Sequence, residues 1–170
     1  DSSSKIYKKE DFSSVNIQDK LHNCAKRIKY KIDDGNKIGN HNGAFYFTIG
    51  QRKGLRVGGH DEPLFVLQID VINNIIYVGM GKTHPGLLAN TLLIKTNDEH
   101  WIREDLKLSI NDSMSVMARI RYRQPLQKAT LHKFKSSLYL TFDNPQSSIT
   151  KGQFAAWYID DELIGSGVIS

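Results

Sequence analysis

Short apolar stretches bounded by turn residues dominate the chain from residue 113 onward and constrain its fold more than any other feature. The candidate strands are SMSVMARIRYRQ, QKATLHKF, SLYLTF, GQFAAWYI and ELIGSGVIS, and the segments QPLQ, KSS, NPQSS and DD separate them. Short strands at this regular spacing are typical of a small barrel or a sandwich. No stretch after residue 43 keeps helical periodicity for more than about three turns, so we expect a mainly β fold.

A second β signal precedes these strands. The segment LFVLQIDVINNIIYVGMG contains two apolar runs around Asn73 and Asn74. Because asparagine tolerates positive φ, this pattern predicts a tight hairpin. Pro85 and Gly86 then interrupt the chain, which indicates a domain boundary near residues 84–91.

The N-terminal part reads differently, since it is rich in serine and lysine and poor in large apolar residues. Ile17, Leu21 and Ala25 have the i, i+4, i+8 spacing of one short amphipathic helix. We therefore expect three segments. Residues 1–34 are a linker or insertion with a short helix, residues 35–88 a small β-rich central domain, and residues 89–170 an antiparallel β-barrel.

Composition excludes several classes of protein. The 170 residues are 39% hydrophobic and 24% charged, as in soluble globular proteins. No apolar run approaches the roughly 18 residues of a membrane span, and the polar start DSSSKIYKKED does not resemble a signal peptide. The single cysteine, Cys24, excludes an internal disulfide framework and fits a reducing compartment, so we expect a cytoplasmic protein. The net charge of +5 weakly favours anionic partners.

The segment VMARIRYRQ concentrates positive charge. Strand alternation would place Val116, Ala118, Ile120 and Tyr122 on one face and Arg119, Arg121 and Arg123 on the other. Arginines at every second position would lie roughly 6–7 Å apart, close to the phosphate spacing along a nucleic-acid strand. No acidic residue occurs from Met114 to Phe142, whereas Lys128, Lys133 and Lys135 do. This pattern indicates an RNA-binding face, or alternatively a charged edge strand protected from aggregation.

The segment GAFYFTIGQRKGLRVGG, residues 43–59, suggests an anion site. Glycines flank Gln51, Arg52 and Lys53, and backbone N–H groups beside cations can hold a phosphate. The stretch does not match GxxxxGK[ST] and therefore is not a nucleotide P-loop. A polar connecting turn is the alternative interpretation.

Nothing in the sequence forms a catalytic constellation. The six histidines, His22, His41, His60, His84, His100 and His132, show no metal-ligand spacing, so we expect no metal site. Lys26, Arg27 and Lys29 follow Cys24, and nearby cations can lower a thiol pKa, but no general base or shaped pocket is evident there. Asp160, Asp161 and Glu162 are expected in a hairpin turn with a solubilising role.

Several motifs together carry a family resemblance. YFTIGQRKGLRVGG, EPLFVLQIDVINNIIYVGMGKTHPGL, HWI, RIRYRQPLQKATL, TKGQFAAWY and ELIGSGVIS follow one another from about residue 35 to the end. In this order and spacing they resemble the C-terminal half of bacterial tRNA-specific 2-thiouridylases, the MnmA or TrmU family. The first 30 or so residues do not match the family pattern, and we interpret them as an insertion.

The resemblance implies an enzyme that places sulfur on C2 of the wobble uridine of tRNA. In that family an N-terminal domain with an SGGxDS loop uses ATP, with Mg²⁺, and a cysteine carries a persulfide. This chain contains no SGGxDS, and Cys24 lacks the Gly-Ile-Cys-Phe context of the persulfide cysteine. We therefore expect no catalytic residue and no cofactor in these residues. The implied partners are tRNA and a sulfur-carrier or persulfide donor protein, and we expect a monomer.

The resemblance also implies residue roles. The family's barrel is similar to those of translation factors and grips the tRNA body, with contacts that match Arg121, Tyr122 and Gln153. The tRNA contact at Tyr122 conflicts with its inward position in the strand alternation, unless the ring is buried with its hydroxyl at a rim or the strand bulges there. The other candidates for tRNA binding are Arg119, Arg123, Gln124, Gln51, Arg52 and Lys53. A stand-alone translation-factor-like RNA-binding barrel, or a module that docks an acidic sulfur carrier, remain alternatives.

Overall fold

A computed structural model of the chain describes residues 5–7 and 16–170. The fold is mainly β, as the sequence predicts, with one short α-helix, a two-stranded sheet and a closed six-stranded antiparallel barrel. The described residues form two compact units. The first contains Arg27–Leu88 and residues 5–7, and the second contains Ala89–Ser170 and residues 16–26. None of the helices described is long and apolar enough to span a membrane.

The two-stranded sheet belongs to the first unit and confirms the predicted hairpin. Strands β1 (Leu64–Asp70) and β2 (Ile75–Met80) pair antiparallel. Asn74 has φ 55°, the left-handed conformation that favours asparagine. The Asp70 carboxylate accepts hydrogen bonds from the side chain and backbone of Asn73, which lower the pKa of Asp70 and fix the turn.

Both faces of this small sheet are covered by segments without regular strands. One buried cluster contains Tyr30, Leu67 and Leu87, and another contains Leu55, Leu64 and Val66. The expectation of β structure from residue 43 onward is wrong for residues 43–63. That stretch holds a 3-10 turn, Ala44–Tyr46, followed by an irregular loop, because residues such as Gly50 (φ 80°) and Gly54 (φ 88°) interrupt an extended conformation.

His84 is a core histidine of the first unit. It is 3% exposed, its Nδ1 accepts a hydrogen bond from the Gly86 N–H at 3.1 Å, and the Tyr7 ring meets it edge-on. Burial lowers the pKa of His84, so the neutral imidazole is favoured in the folded chain. A Cβ at Gly79 would lie 2.7 Å from this imidazole, so close packing requires glycine there.

The barrel occupies the second unit. Its strands are β3 (Leu88–Trp101), β4 (Ser113–Arg119), β5 (Gln127–Lys133), β6 (Ser137–Ser147), β7 (Phe154–Ile159) and β8 (Glu162–Ile169). They follow one another around the barrel in the order β3-β6-β5-β4-β7-β8, and the pairing of β3 with β8 closes it. The sequence prediction missed β3, because a polar run from residue 95 to 100 and a register shift between Ile94 and Glu99 hide its alternation.

Aliphatic and aromatic side chains fill the barrel. The rings of Trp101 and Trp157 meet edge-on with centroids 5.5 Å apart, and Trp157 is fully buried. A Cβ at Gly165 would lie 2.5 Å from Nε1 of Trp157, so glycine is required beside the indole. The barrel interior is therefore a packed core.

The predicted helix is present as α1 (Ile17–Ala25) and belongs to the second unit. Its N-terminus is capped by Asn16, whose Oδ1 accepts the Asp19 N–H at 2.9 Å. Leu21 is buried against Phe134 and Tyr139, so the apolar face of the helix packs on the barrel.

Candidate nucleic-acid interface

The arginine-rich segment forms a turn at one end of the barrel rather than a continuous strand. Strand β4 ends at Arg119, and residues 120–126 turn toward β5. The Gln124 side chain accepts the Ile120 N–H at 3.2 Å, and the Gln124 N–H donates to the Arg121 carbonyl at 3.1 Å. The predicted row of three arginines on one strand face is therefore wrong. Only Arg119 lies in the strand, and Arg121 and Arg123 project from the turn.

Tyr122 is also placed differently from the strand prediction. It is 85% exposed, although the alternation of side chains along a strand predicts that it points into the barrel. Alternation no longer applies because the strand ends three residues earlier. A large aromatic ring in solvent beside arginines is a feature that ligand-binding surfaces share.

The guanidinium of Arg119 lies beside this ring and binds the backbone of Tyr122. Its Nε and Nη2 donate to the Tyr158 hydroxyl at 3.1 and 2.8 Å, and its Nη1 donates to the Tyr122 carbonyl at 3.0 Å. It also lies 5.4 Å from the Tyr122 ring centroid and 5.1 Å from that of Tyr158. These contacts use all three guanidinium nitrogens. Arg119 therefore positions Tyr122 and is not a freely available cation for a ligand.

Arg121 joins the turn to the end of β6 and to the residue that follows it. Its Nη2 donates to the carbonyls of Ser147 and Ser148 at 2.9 and 3.0 Å. A second link runs beside it, because Gln124 Nε2 donates to Gln146 Oε1 at 2.5 Å. Two segments that are distant in sequence are therefore held together at this end of the barrel.

Gln153 belongs to the same group. The Ser148 carbonyl that accepts from Arg121 also accepts from the Thr150 hydroxyl at 3.1 Å, and Gln153 Oε1 accepts the Thr150 N–H at 3.2 Å. This chain of bonds connects Arg121 to Gln153. The structure thus brings together the predicted residues Arg119, Arg121, Tyr122, Arg123, Gln124 and Gln153. We call this group the rim cluster.

The predicted patch of six unneutralised cations is smaller than expected. Lys133 is buried, and its ammonium lies 2.6 Å from the Glu99 carboxylate of β3. Lys133 therefore does not belong to a charged face. Lys135 is exposed in the turn after β5, which lies at the opposite end of the β4–β5 pair from the rim cluster.

One exposed aromatic residue at this end was missed in the sequence. Phe154, the first residue of β7, directly follows Gln153 and is 64% exposed. Arg119 pairs with Ala156 in the neighbouring strand, so Phe154 lies two residues further toward the 120–126 turn. Its outward position is predictable from alternation with the fully buried Ala155.

The Gln51 loop lies in the first unit. Gln51 Oε1 accepts the Thr48 N–H at 3.0 Å, and its Nε2 donates to the Lys53 carbonyl at 2.8 Å. Gln51 therefore shapes the loop, while Arg52 and Lys53 are exposed. An open cleft of about 590 Å³ is lined by Arg52 and residues 54–64.

The remaining candidates form no reactive site. Within residues 5–7 and 16–170, no group of three histidine, cysteine or acidic side chains is arranged to hold a metal ion. Cys24 is exposed on α1. Glu162 is not only a solubilising turn residue as predicted, because it begins β8 and pairs with Arg103 at 2.9 Å.

Comparisons with known proteins define the class of the two domains. A family model described as tRNA methyl transferase PRC-barrel domain matches residues 17–80. Another, described as aminomethyltransferase beta-barrel domain, matches residues 91–169. The first match begins before residue 35, so the family pattern extends further toward the N-terminus than the motifs in the sequence indicate.

Full-length relatives identify the family. The tRNA-specific 2-thiouridylase MnmA of Flavobacterium johnsoniae is 51% identical over 170 residues, which are 100% of this chain and 43% of the relative. That of Christiangramia forsetii is 52% identical over 164 residues, which are 96% of this chain and 42% of the relative. The chain belongs to the MnmA family and spans less than half the length of these relatives.

Proposed function

We propose that this chain is the tRNA-binding part of a tRNA-specific 2-thiouridylase. In this proposal residues 35–88 form the central domain, and residues 89–170 form the barrel that holds the tRNA. The whole enzyme uses ATP, Mg²⁺ and a cysteine persulfide to convert the wobble uridine to 2-thiouridine in the cytoplasm. It receives its sulfur from a carrier or persulfide donor protein. The chemistry belongs to a catalytic domain outside these 170 residues.

The observation that carries this proposal is the rim cluster. Arg121 and Gln153 are far apart in sequence, yet both contribute to one hydrogen-bonded group at one end of the barrel. Exposed Arg123 and Lys151 lie in the two segments of that group. Guanidinium and amide groups held on a rigid scaffold are suited to contact phosphate and sugar oxygens.

Three members of the cluster contact RNA in this proposal. Arg123 is exposed and contacts the phosphate backbone. Arg121 uses Nη2 to hold the 147–148 carbonyls, so its remaining guanidinium edge faces the RNA. Gln153 uses its Oε1 within the chain, so its Nε2 is the donor to RNA. Gln51 supports a second basic loop, in which Arg52 and Lys53 contact tRNA or the catalytic domain.

The salt dependence of tRNA binding tests this proposal. We expect the affinity of the chain for a tRNA transcript to fall steeply with salt, since each phosphate contact releases a counterion. The Arg123→Ala variant loses about one unit of the log–log slope. Lys135→Ala removes a cation that is also exposed, at the other end of the barrel, and is the matched control, so its slope remains unchanged. A flat slope for the unaltered chain contradicts the proposal and favours a protein-docking module.

The enzymatic part is tested with the whole protein. The complete gene, expressed in a bacterium whose own 2-thiouridylase gene is disrupted, restores 2-thiouridine in tRNA as measured by mass spectrometry of nucleosides. Normal tRNA binding without restored 2-thiouridine would instead support a stand-alone RNA-binding barrel.

A further inference from the structure

Two large aromatic side chains are exposed at the same end of the barrel as the rim cluster. Tyr122 is 85% exposed and Phe154 is 64% exposed. Neither side chain belongs to the buried core of the barrel, which other residues form. Aromatic rings beside cations are the combination that proteins use to stack on nucleic-acid bases.

Tyr122 is held ready for such a contact. The Arg119 guanidinium lies against its ring and is itself anchored by the Tyr158 hydroxyl. The hydrogen bond from Arg119 to the Tyr122 carbonyl constrains the backbone from which the ring projects, so less conformational freedom is lost when a ligand stacks on the ring. Most of the ring surface nevertheless remains open to solvent.

The backbone of Phe154 is held by strand pairing. It pairs with Val168 of β8 at the start of β7, so its backbone belongs to the closed barrel. Because Ala155 points into the core, the Phe154 side chain is directed outward. Its neighbour Gln153 belongs to the rim cluster, so Phe154 adjoins the surface assigned above to tRNA.

We propose that Tyr122 and Phe154 form a stacking platform for unpaired bases of the bound RNA. This inference rests on the proposed function and specifies it further, because the ligand is an RNA with bases outside a helix, in a loop or a bulge. Bases inside a duplex are stacked on each other and do not offer their faces to a protein ring. Arg121 and Arg123 hold the RNA backbone, and the two rings hold the bases.

Substitution of Phe154 tests the platform. We expect Phe154→Ala and Tyr122→Ala each to weaken binding of a tRNA transcript by about tenfold, without changing the salt slope, because stacking releases no counterions. Phe154→Trp retains the affinity, and Phe154→Leu, which is apolar but cannot stack, does not. For a fully paired RNA duplex of similar length, all these variants bind as the unaltered chain does.

Ile72→Ala is the control, since Ile72 is an apolar side chain that is 95% exposed on the β1–β2 turn of the first unit, outside the Gln51 loop. Its tRNA affinity remains unchanged, and thermal unfolding shows whether each variant is folded. If the unaltered chain binds tRNA with a steep salt slope but Phe154→Ala binds equally well, the platform is refuted and the proposed function stands. If the variants lose as much affinity for the paired duplex as for tRNA, the platform is also refuted. If the unaltered chain does not bind RNA, both proposals fail.

Discussion

An ion pair between Lys133 and Glu99 is buried at the end of the barrel opposite the rim cluster. The two side chains are 7% and 4% exposed, and Lys133 Nζ lies 2.6 Å from Glu99 Oε1. The ammonium also donates to the Thr96 hydroxyl at 3.2 Å. We predict that Glu99→Gln destabilises the barrel, because it leaves a buried ammonium ion without a carboxylate.

The size of this effect follows from the burial of both partners. Removing one partner of a buried pair costs about 3–5 kcal/mol in the free energy of unfolding. Glutamine retains an oxygen that can accept from Lys133, and Thr96 still accepts as well, so we expect about 3 kcal/mol. The double variant Lys133→Met with Glu99→Leu removes both charges, and its stability should lie within about 1 kcal/mol of the unaltered chain.

Urea unfolding followed by tryptophan fluorescence measures this change. The only two tryptophans, Trp101 and Trp157, both lie in the barrel core, so their emission reports the second unit. A loss below about 1 kcal/mol for Glu99→Gln would refute the reasoning. A double variant as unstable as the single one would refute it as well. The double variant should also bind tRNA with an unchanged salt slope, because Lys133 is not exposed.

Two further predictions concern the cores of the two units. Burial lowers the pKa of His84 below its ordinary value of 6.5, so the unfolded chain binds a proton first as pH falls. Stability is therefore fully present above about pH 6.5 and decreases as pH falls through that value, and calorimetry of His84→Gln should show a weaker decrease. Gly165→Ala should destabilise the barrel by about 1–3 kcal/mol in urea unfolding, because the new methyl group would overlap Trp157. An unchanged urea midpoint for Gly165→Ala would contradict the close packing of Gly165 against Trp157.

Local patterns predicted much of the fold. Ile17, Leu21 and Ala25 predict α1, and Asn73–Asn74 predicts the β1–β2 hairpin, because each signal lies within one or two turns of the chain. Strand β3 was missed because its polar residues pair with a strand more than 60 residues away in sequence, as shown by Glu99 opposite Gly167. The burial of Lys133 was unpredictable for the same reason, since Glu99 is 34 residues away.

The sequence predicted which residues belong to the candidate site but not how they are arranged in space. Arginine spacing in RIRYRQ suggests an extended row, whereas the Gln124 side chain closes a turn by accepting the Ile120 N–H. Sequence alone does not reveal that the Arg119 guanidinium is already hydrogen-bonded to Tyr158 and Tyr122. Tyr158 lies in a separate strand, β7, and the Tyr122 carbonyl comes within reach only because the chain turns after β4. Phe154 was identifiable from strand alternation, but only once the start of β7 was known.

The most direct test of the claim that the rim cluster binds tRNA is to map the RNA-binding surface by NMR. Backbone amide resonances of the chain are followed while a tRNA transcript is added to saturation. We predict the largest chemical-shift changes in residues 119–124 and 150–154, the two segments that form the rim cluster and the aromatic platform. Saturated binding that leaves both segments unchanged, with shifts confined to other surfaces such as residues 71–74, would contradict the claim that the rim cluster binds tRNA.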